Sequence, residues 1–343
     1  MSVILDVEVD ISYCKYCLLE VEDTALDAHP ECIEIVQKYR EAIPDKQSLE
    51  LLAELLEIEF DRFPFLIDLD LSGLNLTALP NDLQIFSNIK TLDLSNNQLR
   101  NLPESLSVLT KLKEMRLDDN YLEYLPNSIT SLTGLTKLTV LSNQLRELPE
   151  NIGNLVNLEI LALDNNNLRI LPESFGNLSN LRELWIKENI LVELPESFGN
   201  LSKLGALDIS GNRLISLPET FGSLSSLDEF IANHNEIQEL PDTFVALSNL
   251  KFAELEYNQI LLLPNDIGKL KNLFRLVLSF NNLKGVPESI IKLTNLGFLD
   301  LSYNHIYHFP RAFTEFKCSG EVNLAGNNIK KLPIGIDEEI FII

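Results

Sequence analysis

The residues best suited to chemistry lie close together near residue 1. Cys14 and Cys17 form a CxxC pair, and His29 and Cys32 form an HxxC pair after eleven intervening residues. Two pairs of soft or borderline ligands, one on a tight turn and one at a helix start, suit tetrahedral zinc. Because four protein ligands leave no open position for water, we predict a structural Zn²⁺ and not a catalytic one.

Two other interpretations of these residues stay open: reduced cysteines in a small core, and a redox-active CxxC pair. A permanent disulfide fits poorly with the cytoplasmic location predicted below. Pro30 after His29 favours a first helical turn. The spacing C-x2-C-x11-H-x2-C resembles a treble-clef or ubiquitin-binding C2HC zinc finger, and this resemblance implies a small metal-built module over residues 1–44.

The segment that follows this module is predicted to be a helical cap over residues 45–64. Its leucines Leu49, Leu52, Leu55 and Leu56 have the spacing of one helical face. A stack of repeats needs its terminal core covered, and this helix runs directly into the first repeat.

Twelve prolines recur at a constant interval of 23 residues through the rest of the chain. The unit reads LxxLxLxxNxLxxLPxxhxxLxx, where h is apolar. Its LxLxx segment alternates, so the leucines should point into a core and the residues between them should face outward from a short parallel strand. The prolines are Pro80, Pro103, Pro126, Pro149, Pro172, Pro195, Pro218, Pro241, Pro264, Pro287, Pro310 and Pro333.

This unit resembles the leucine-rich repeat family in its cytosolic 23-residue type. The resemblance implies an α/β solenoid, a curved horseshoe with a parallel sheet on the concave side and short helical or 3-10 segments on the convex side. Twelve repeats would span residues 65–336, and residues 337–343 would form a short tail or cap. The asparagines from Asn97 to Asn327 should satisfy backbone groups of adjacent coils. Glycines such as Gly153 are predicted to let the convex segment turn tightly.

The concave face is the predicted binding surface, because its exposed side chains change from polar to aromatic toward the C-terminal repeats. Clustered exposed aromatics are typical of protein-binding faces, although incidental strand preference is the alternative. Glu254, Val277 and Asp300 lie among these aromatic side chains. The predicted partner-binding residues are Trp185, Ile231, His234, Phe252, Tyr257, Phe274, Arg275, Phe280, Phe298 and Tyr303.

The composition limits the classes of partner that we expect this chain to bind. The formal net charge is −24, which disfavours phosphate backbones and anionic lipid surfaces, so no nucleic acid and no membrane are expected. Asp6, Glu8 and Asp10 stand where a secretory signal would be basic and then apolar, which predicts a cytoplasmic protein. No Gly-rich phosphate loop or nucleophile-elbow serine occurs, and Cys318 is expected to be an idle thiol, so we predict no enzyme.

These observations together predict an interaction protein. The repeats would act as a scaffold that binds a protein partner on the concave face, and the family resemblance suggests small-GTPase-type signalling as the setting. The alternative is a substrate receptor of a ubiquitin-like system that uses the zinc finger for recruitment. We expect a monomer, with self-association through the apolar C-terminal tail as the other outcome.

Overall fold

The computed structural model describes residues 46–330 and 341–342. Cys14, Cys17, His29 and Cys32, with most of the predicted C-terminal tail, lie outside the described residues.

The described chain forms one parallel sheet of thirteen strands in sequence order. From β1 to β12 each strand has three residues, and each residue of β1 to β11 pairs with the one 23 positions further along the chain, as Leu161 pairs with Leu184. The predicted parallel sheet of a repeat solenoid is therefore confirmed. The strands are β1 Asp68–Asp70, β2 Thr91–Asp93, β3 Glu114–Arg116, β4 Lys137–Thr139, β5 Ile160–Ala162, β6 Glu183–Trp185, β7 Ala206–Asp208, β8 Glu229–Ile231, β9 Phe252–Glu254, β10 Arg275–Val277, β11 Phe298–Asp300, β12 Glu321–Asn323 and β13 Phe341–Ile342.

A buried asparagine after each strand from β2 to β11 ties neighbouring coils together. The Asn166 amide donates to the carbonyls of Val140 at 2.7 Å, Leu163 at 3.0 Å and Asp164 at 3.3 Å. Its oxygen accepts the backbone N–H of Leu145 at 3.0 Å. One side chain thus satisfies three backbone groups that the turn leaves without partners and adds a second hydrogen bond to the Asp164 carbonyl, which also accepts the Ser142 N–H, and the predicted structural role of the asparagines is confirmed.

The other side of each coil is a short 3-10 helix, which carries one large apolar residue into the core. Phe175, Phe198, Phe221 and Phe244 are fully or almost fully buried, and their rings stack at centroid distances of 6.0 to 6.3 Å. The 3-10 helices are Phe60–Phe65, Gln84–Phe86, Glu104–Val108, Asn127–Ser131, Ile152–Asn154, Glu173–Asn177, Glu196–Asn200, Glu219–Ser223, Asp242–Ala246, Ile267–Lys269, Glu288–Lys292 and Arg311–Glu315.

The glycines in these 3-10 helices have a different role from the one predicted. Gly153 does not adopt a positive φ, so no tight turn requires it. A Cβ there would overlap the backbone carbonyl oxygen of Ser174 in the next coil. Gly153 is required because adjacent coils approach too closely for any side chain.

Helix α1 (Lys46–Leu56) lies at the β1 end of the sheet. Leu49 and Leu52 are buried in the same continuous apolar core as the repeats. Leu55, which the heptad-like spacing placed on the buried face, is 48% exposed because the helix contacts the first coil along a narrower stripe. At the opposite end, β13 pairs in parallel with β12, with Val322 opposite Phe341.

We predict that Asn166→Ala lowers the free energy of unfolding by about 2 to 4 kcal/mol, because it leaves several buried backbone groups without hydrogen bonds. The neighbouring Asn167→Ala is the matched control, since Asn167 is exposed. Denaturant unfolding followed by circular dichroism measures both. Equal losses for the two variants would contradict the assigned role of the asparagine.

Candidate functional site on the concave face

The first and third residues of each strand face the concave side. Here the sheet curvature crowds short side chains. Val277 is only 4% exposed and Ala162 only 6%, so the prediction that Val277 contributes to the exposed face was wrong. Longer side chains in the same position, such as Trp185 and Glu254, remain partly accessible. The accessible surface is therefore made by large residues and by the turns at the strand ends.

Four predicted partner-binding residues form one continuous stack, which we call the aromatic ledge: His234, Tyr257, Phe280 and Tyr303. They occupy equivalent positions in four consecutive coils, one residue before the buried asparagine. Neighbouring ring centroids are 4.4, 4.3 and 4.4 Å apart, and the ring planes are within 9° of parallel. Tyr257 is 42% exposed, Phe280 37% and Tyr303 54%, so the edges of the rings present an aromatic wall about 13 Å long to solvent.

The backbone of the ledge is strained. All four residues are in the left-handed region, with φ between 52° and 54°. This position is left-handed in every described coil, and outside the ledge it holds Asn, Asp or Gly in most coils but also Ser142 and Glu188. Tyr257, Phe280 and Tyr303 are bulky residues that rarely adopt this region, and strain of this kind concentrates at functional sites.

Glycines bound the ledge at both ends. Gly211 precedes His234 by one coil. The Glu188 carboxylate lies over Gly211, 2.7 Å from the place that a Cβ would occupy. Gly326 follows Tyr303 by one coil, and a Cβ there would lie 2.7 to 3.2 Å from the Tyr303 ring. The ledge is thus a discrete feature and not a gradual change in composition.

A second aromatic group lies at the start of the strands, opposite the ledge. Phe252 and Phe274 are 38% and 51% exposed, and their rings meet nearly edge to face at a centroid distance of 6.3 Å. The Phe274 ring covers Gly297, where a Cβ would overlap it. We call Phe252, Phe274 and Phe298 the phenylalanine strip.

Arg275 joins the strip to the acidic centre, the name we give to Glu229 in β8 and Glu254 in β9. Its Nε donates to Glu254 Oε1 at 2.8 Å, and its guanidinium carbon lies 4.4 Å from the centroid of the Phe298 ring. Arg275 therefore makes a charge-assisted hydrogen bond and a cation–π contact at once.

Trp185 and Ile231 do not join these aromatic groups. Trp185 lies in β6, three strands from β9, and its indole N–H donates to Glu183 at 3.4 Å. Ile231 is half-buried in β8, directly opposite Glu254. The structure thus brings eight of the ten predicted residues into one area bounded by β8 and β11, with Ile231 at its margin and Trp185 apart.

Negative charge dominates the concave positions. Among the first and third residues of β1 to β12, ten are Asp or Glu and three are Lys or Arg. Burial, followed by the nearby carboxylates of Asp228, Glu254 and Asp208, raises the pKa of Glu229. Half-buried Asp118 also has a raised pKa, mainly from desolvation, although hydrogen bonds from the Leu141 N–H and the Thr139 hydroxyl oppose the shift.

Glu229 was missed by the sequence analysis, which named Glu254 but not its neighbour. The signal was present: residues 229, 252, 275 and 298 are spaced by 23 and therefore lie side by side across four strands. In the structure Glu229 is directly opposite Phe252.

Other chemistry has little support in the described residues. No group of three or more His, Cys, Asp or Glu side chains in residues 46–330 and 341–342 is arranged to hold a metal ion. Burial raises the pKa of the Cys318 thiol, which lowers its thiolate fraction. None of the helices described is long and apolar enough to span a bilayer.

Comparison with protein families finds leucine-rich repeats in three parts of the chain. The family "Leucine-rich repeat region" matches residues 139–211. The family "Leucine rich repeat" matches residues 254–306 and 271–329, and the single-repeat family matches residues 88–109 and 203–224. No curated protein matches the sequence.

Solved structures with the same architecture include receptors and a bacterial protein. A TDR receptor is 29% identical with a TM-score of 0.68, and the plant peptide hormone receptor RGFR1 in complex with RGF2 is 28% identical with a TM-score of 0.62. Each match covers 77% of this chain and 48% of the receptor, so the chain spans about half the length of these receptors. YopM from Yersinia enterocolitica is 27% identical over 89% of this chain and 62% of its own, with a TM-score of 0.59.

We predict that Phe280→Asn changes the free energy of unfolding by less than about 1 kcal/mol. The loss of two ring contacts is offset by relief of backbone strain, because asparagine tolerates the left-handed region. Leu278→Ala, at a fully buried position two residues earlier, should cost about 2 to 5 kcal/mol. Chemical denaturation compares the two. A loss at Phe280 as large as at Leu278 would mean that the ledge serves stability instead of binding.

Proposed function

The chain is a leucine-rich repeat protein, and we propose that it is a scaffold that binds a protein partner on the C-terminal half of its concave face. The observation that carries the proposal is the pairing of two exposed aromatic groups, the ledge and the strip, on a rigid sheet. Aromatic anchors on a preorganised surface lose little conformational entropy when a partner binds. The strained backbone of the ledge supports the same role, since it adds exposed rings without a comparable gain in stability.

The similar plant receptor RGFR1 is in complex with RGF2. We extend to this chain only the general expectation that a leucine-rich repeat surface binds a protein or peptide. The family resemblance adds small-GTPase-type signalling in the cytoplasm as the proposed setting. The alternative proposal remains a substrate receptor of a ubiquitin-like system, with the N-terminal cysteine module as its recruiting element.

Site-specific photocrosslinking tests the location of the binding face. We predict that a photoreactive amino acid at Tyr257 or Phe274 captures the same protein in cells that express the chain naturally. The control position is Val156, an exposed side chain that follows the 3-10 helix Ile152–Asn154. Capture at Val156 alone would place the partner on the other side of the coils and overturn the proposal.

With the captured partner purified, Phe274→Ala should weaken its binding at least about tenfold, which is the loss of about 1.4 kcal/mol expected for removal of an anchor. Tyr124→Ala is the matched control, because Tyr124 is an aromatic of similar exposure, 48% against 51%, outside the proposed face.

We further propose that Cys14, Cys17, His29 and Cys32 hold one structural Zn²⁺. The support is the donor set itself, three thiolates and one imidazole in two close pairs. Purified wild-type chain should contain one zinc per chain by elemental analysis, and the double variant Cys17→Ser, Cys32→Ser should contain none. The single variant Cys318→Ser serves as the control and should keep its zinc. Metal-free protein from a reduced, chelator-free preparation would contradict the site.

A further inference from the structure

The concave face already holds one arginine, and the way it does so shows what this surface can recognise. Arg275 lies over the Phe298 ring at 4.4 Å while its Nε donates to Glu254 at 2.8 Å. The guanidinium is thus held by an aromatic ring below and a carboxylate at its edge. Both contacts are made at a partly exposed position, because the Arg275 side chain is 39% accessible.

The same elements occur again two strands away, around Phe252. Glu229 in β8 is directly opposite Phe252 in β9. Glu254 lies two residues after Phe252 on the same face of β9. Phe274 supports one side of the ring nearly edge to face, and the Phe252 side chain is 38% exposed. The Phe252 ring thus also lies near two carboxylates, one on the adjacent strand and one on its own strand, whereas the carboxylate that binds Arg275 lies two strands from Phe298.

The Phe252 ring differs from the Phe298 ring because no Lys or Arg side chain of residues 46–330 stacks on it. The cation–π contacts of that part of the chain involve the rings of Tyr121 and Phe298 and not that of Phe252. Lys251, the nearest lysine in sequence, pairs instead with Asp228 at 3.1 Å. Glu254 bonds to Arg275 and to the Asn233 amide at 3.4 Å, whereas Glu229 has no ion pair with a described residue.

We propose that Phe252, Glu229 and Glu254 form a binding place for an arginine side chain of a protein partner. The guanidinium lies flat on the Phe252 ring, and its N–H groups reach the two carboxylates. This inference rests on the proposed function and specifies the partner as a basic segment with at least one arginine. Ten acidic against three basic residues at the outward strand positions favour such a segment over an acidic or neutral one.

Arginine fits this place better than lysine. Its planar guanidinium can stack on a ring while its N–H groups point outward in the plane toward both carboxylates, whereas an ammonium is a compact and more strongly hydrated charge. The apolar residues beside the arginine in the partner would then contact Phe274 or the ledge, since both flank the acidic centre.

Synthetic peptides test the inference on the full chain. The probes are labelled eight-residue Gly/Ser peptides that carry two arginines, two lysines or two citrullines, measured by fluorescence anisotropy at physiological ionic strength to screen long-range attraction. The arginine peptide should bind at least about fivefold tighter than the lysine peptide and about tenfold tighter than the neutral citrulline peptide. Glu229→Gln and Phe252→Leu should each weaken the arginine peptide at least about fivefold.

Glu114→Gln is the matched control, because Glu114 holds the equivalent position in β3, five strands from Glu229, and carries the same charge. Its affinity should stay within about twofold of wild type. Equal losses of affinity for Glu114→Gln and Glu229→Gln would mean that only the overall negative charge of the face matters. Unchanged affinity for Phe252→Leu would mean that the ring does not contact the arginine. Either result overturns the inference. If the peptides fail this test while Phe274→Ala still weakens the crosslinked partner, the proposed function stands and only the arginine place is lost.

Discussion

The rest of the structure depends on how the buried turns satisfy their backbone hydrogen bonds. A coil that reverses direction inside a stack leaves carbonyl and N–H groups that no strand can pair, and one asparagine side chain in each coil binds groups from its own coil and from the preceding one. Because this network works only when neighbouring coils are in register, an interval of 23 residues is kept without insertion. Sheet pairing, the stacking of the buried phenylalanines from Phe175 to Phe244 and the close approach at Gly153 all follow from that register.

The same constraint creates the exposed position that holds the ledge. The residue before the asparagine extends the sheet ladder by one bond, as the N–H of Tyr257 does to the carbonyl of Ser279 at 3.1 Å. The chain must then turn the asparagine inward, which places the preceding residue in the left-handed region and its side chain outside the core. Because the side chain at this position does not pack in the core, aromatic residues can occupy it in four successive coils without disturbing the interior. The core rings stack at 6.0 to 6.3 Å and the ledge rings at 4.3 to 4.4 Å, which agrees with a solenoid that is wider on its convex side.

Much of this could be predicted from the sequence because the repeat converts spacing into position. The strands, their parallel order, the asparagines and the buried phenylalanines follow from residue types at a fixed interval. The candidate site is only partly predictable in this way. Its aromatic residues could be named, but their stacking depends on a left-handed backbone that composition does not reveal, and the burial of Val277 depends on curvature. The predicted role of Gly153 was wrong for a related reason: the contact that requires glycine comes from the next coil and not from the local turn.

A repeat surface also explains how one face can combine attraction with selectivity. Each coil adds one residue to every row, so charged residues and rings can alternate across strands, as Glu229, Phe252, Arg275 and Phe298 do along one row. The carboxylates attract any basic segment and speed its encounter, but charge alone distinguishes partners poorly. The rings distinguish them, because a guanidinium gains from lying flat on phenylalanine and a hydrated ammonium gains less. Arg275 makes both kinds of contact within the chain, with the Phe298 ring and the Glu254 carboxylate at the same time. Since the sheet is continuous and its register is fixed by the asparagines, neither group would have to be reorganised to bind the proposed partner, and the specificity of the face would be set by which residue each coil contributes.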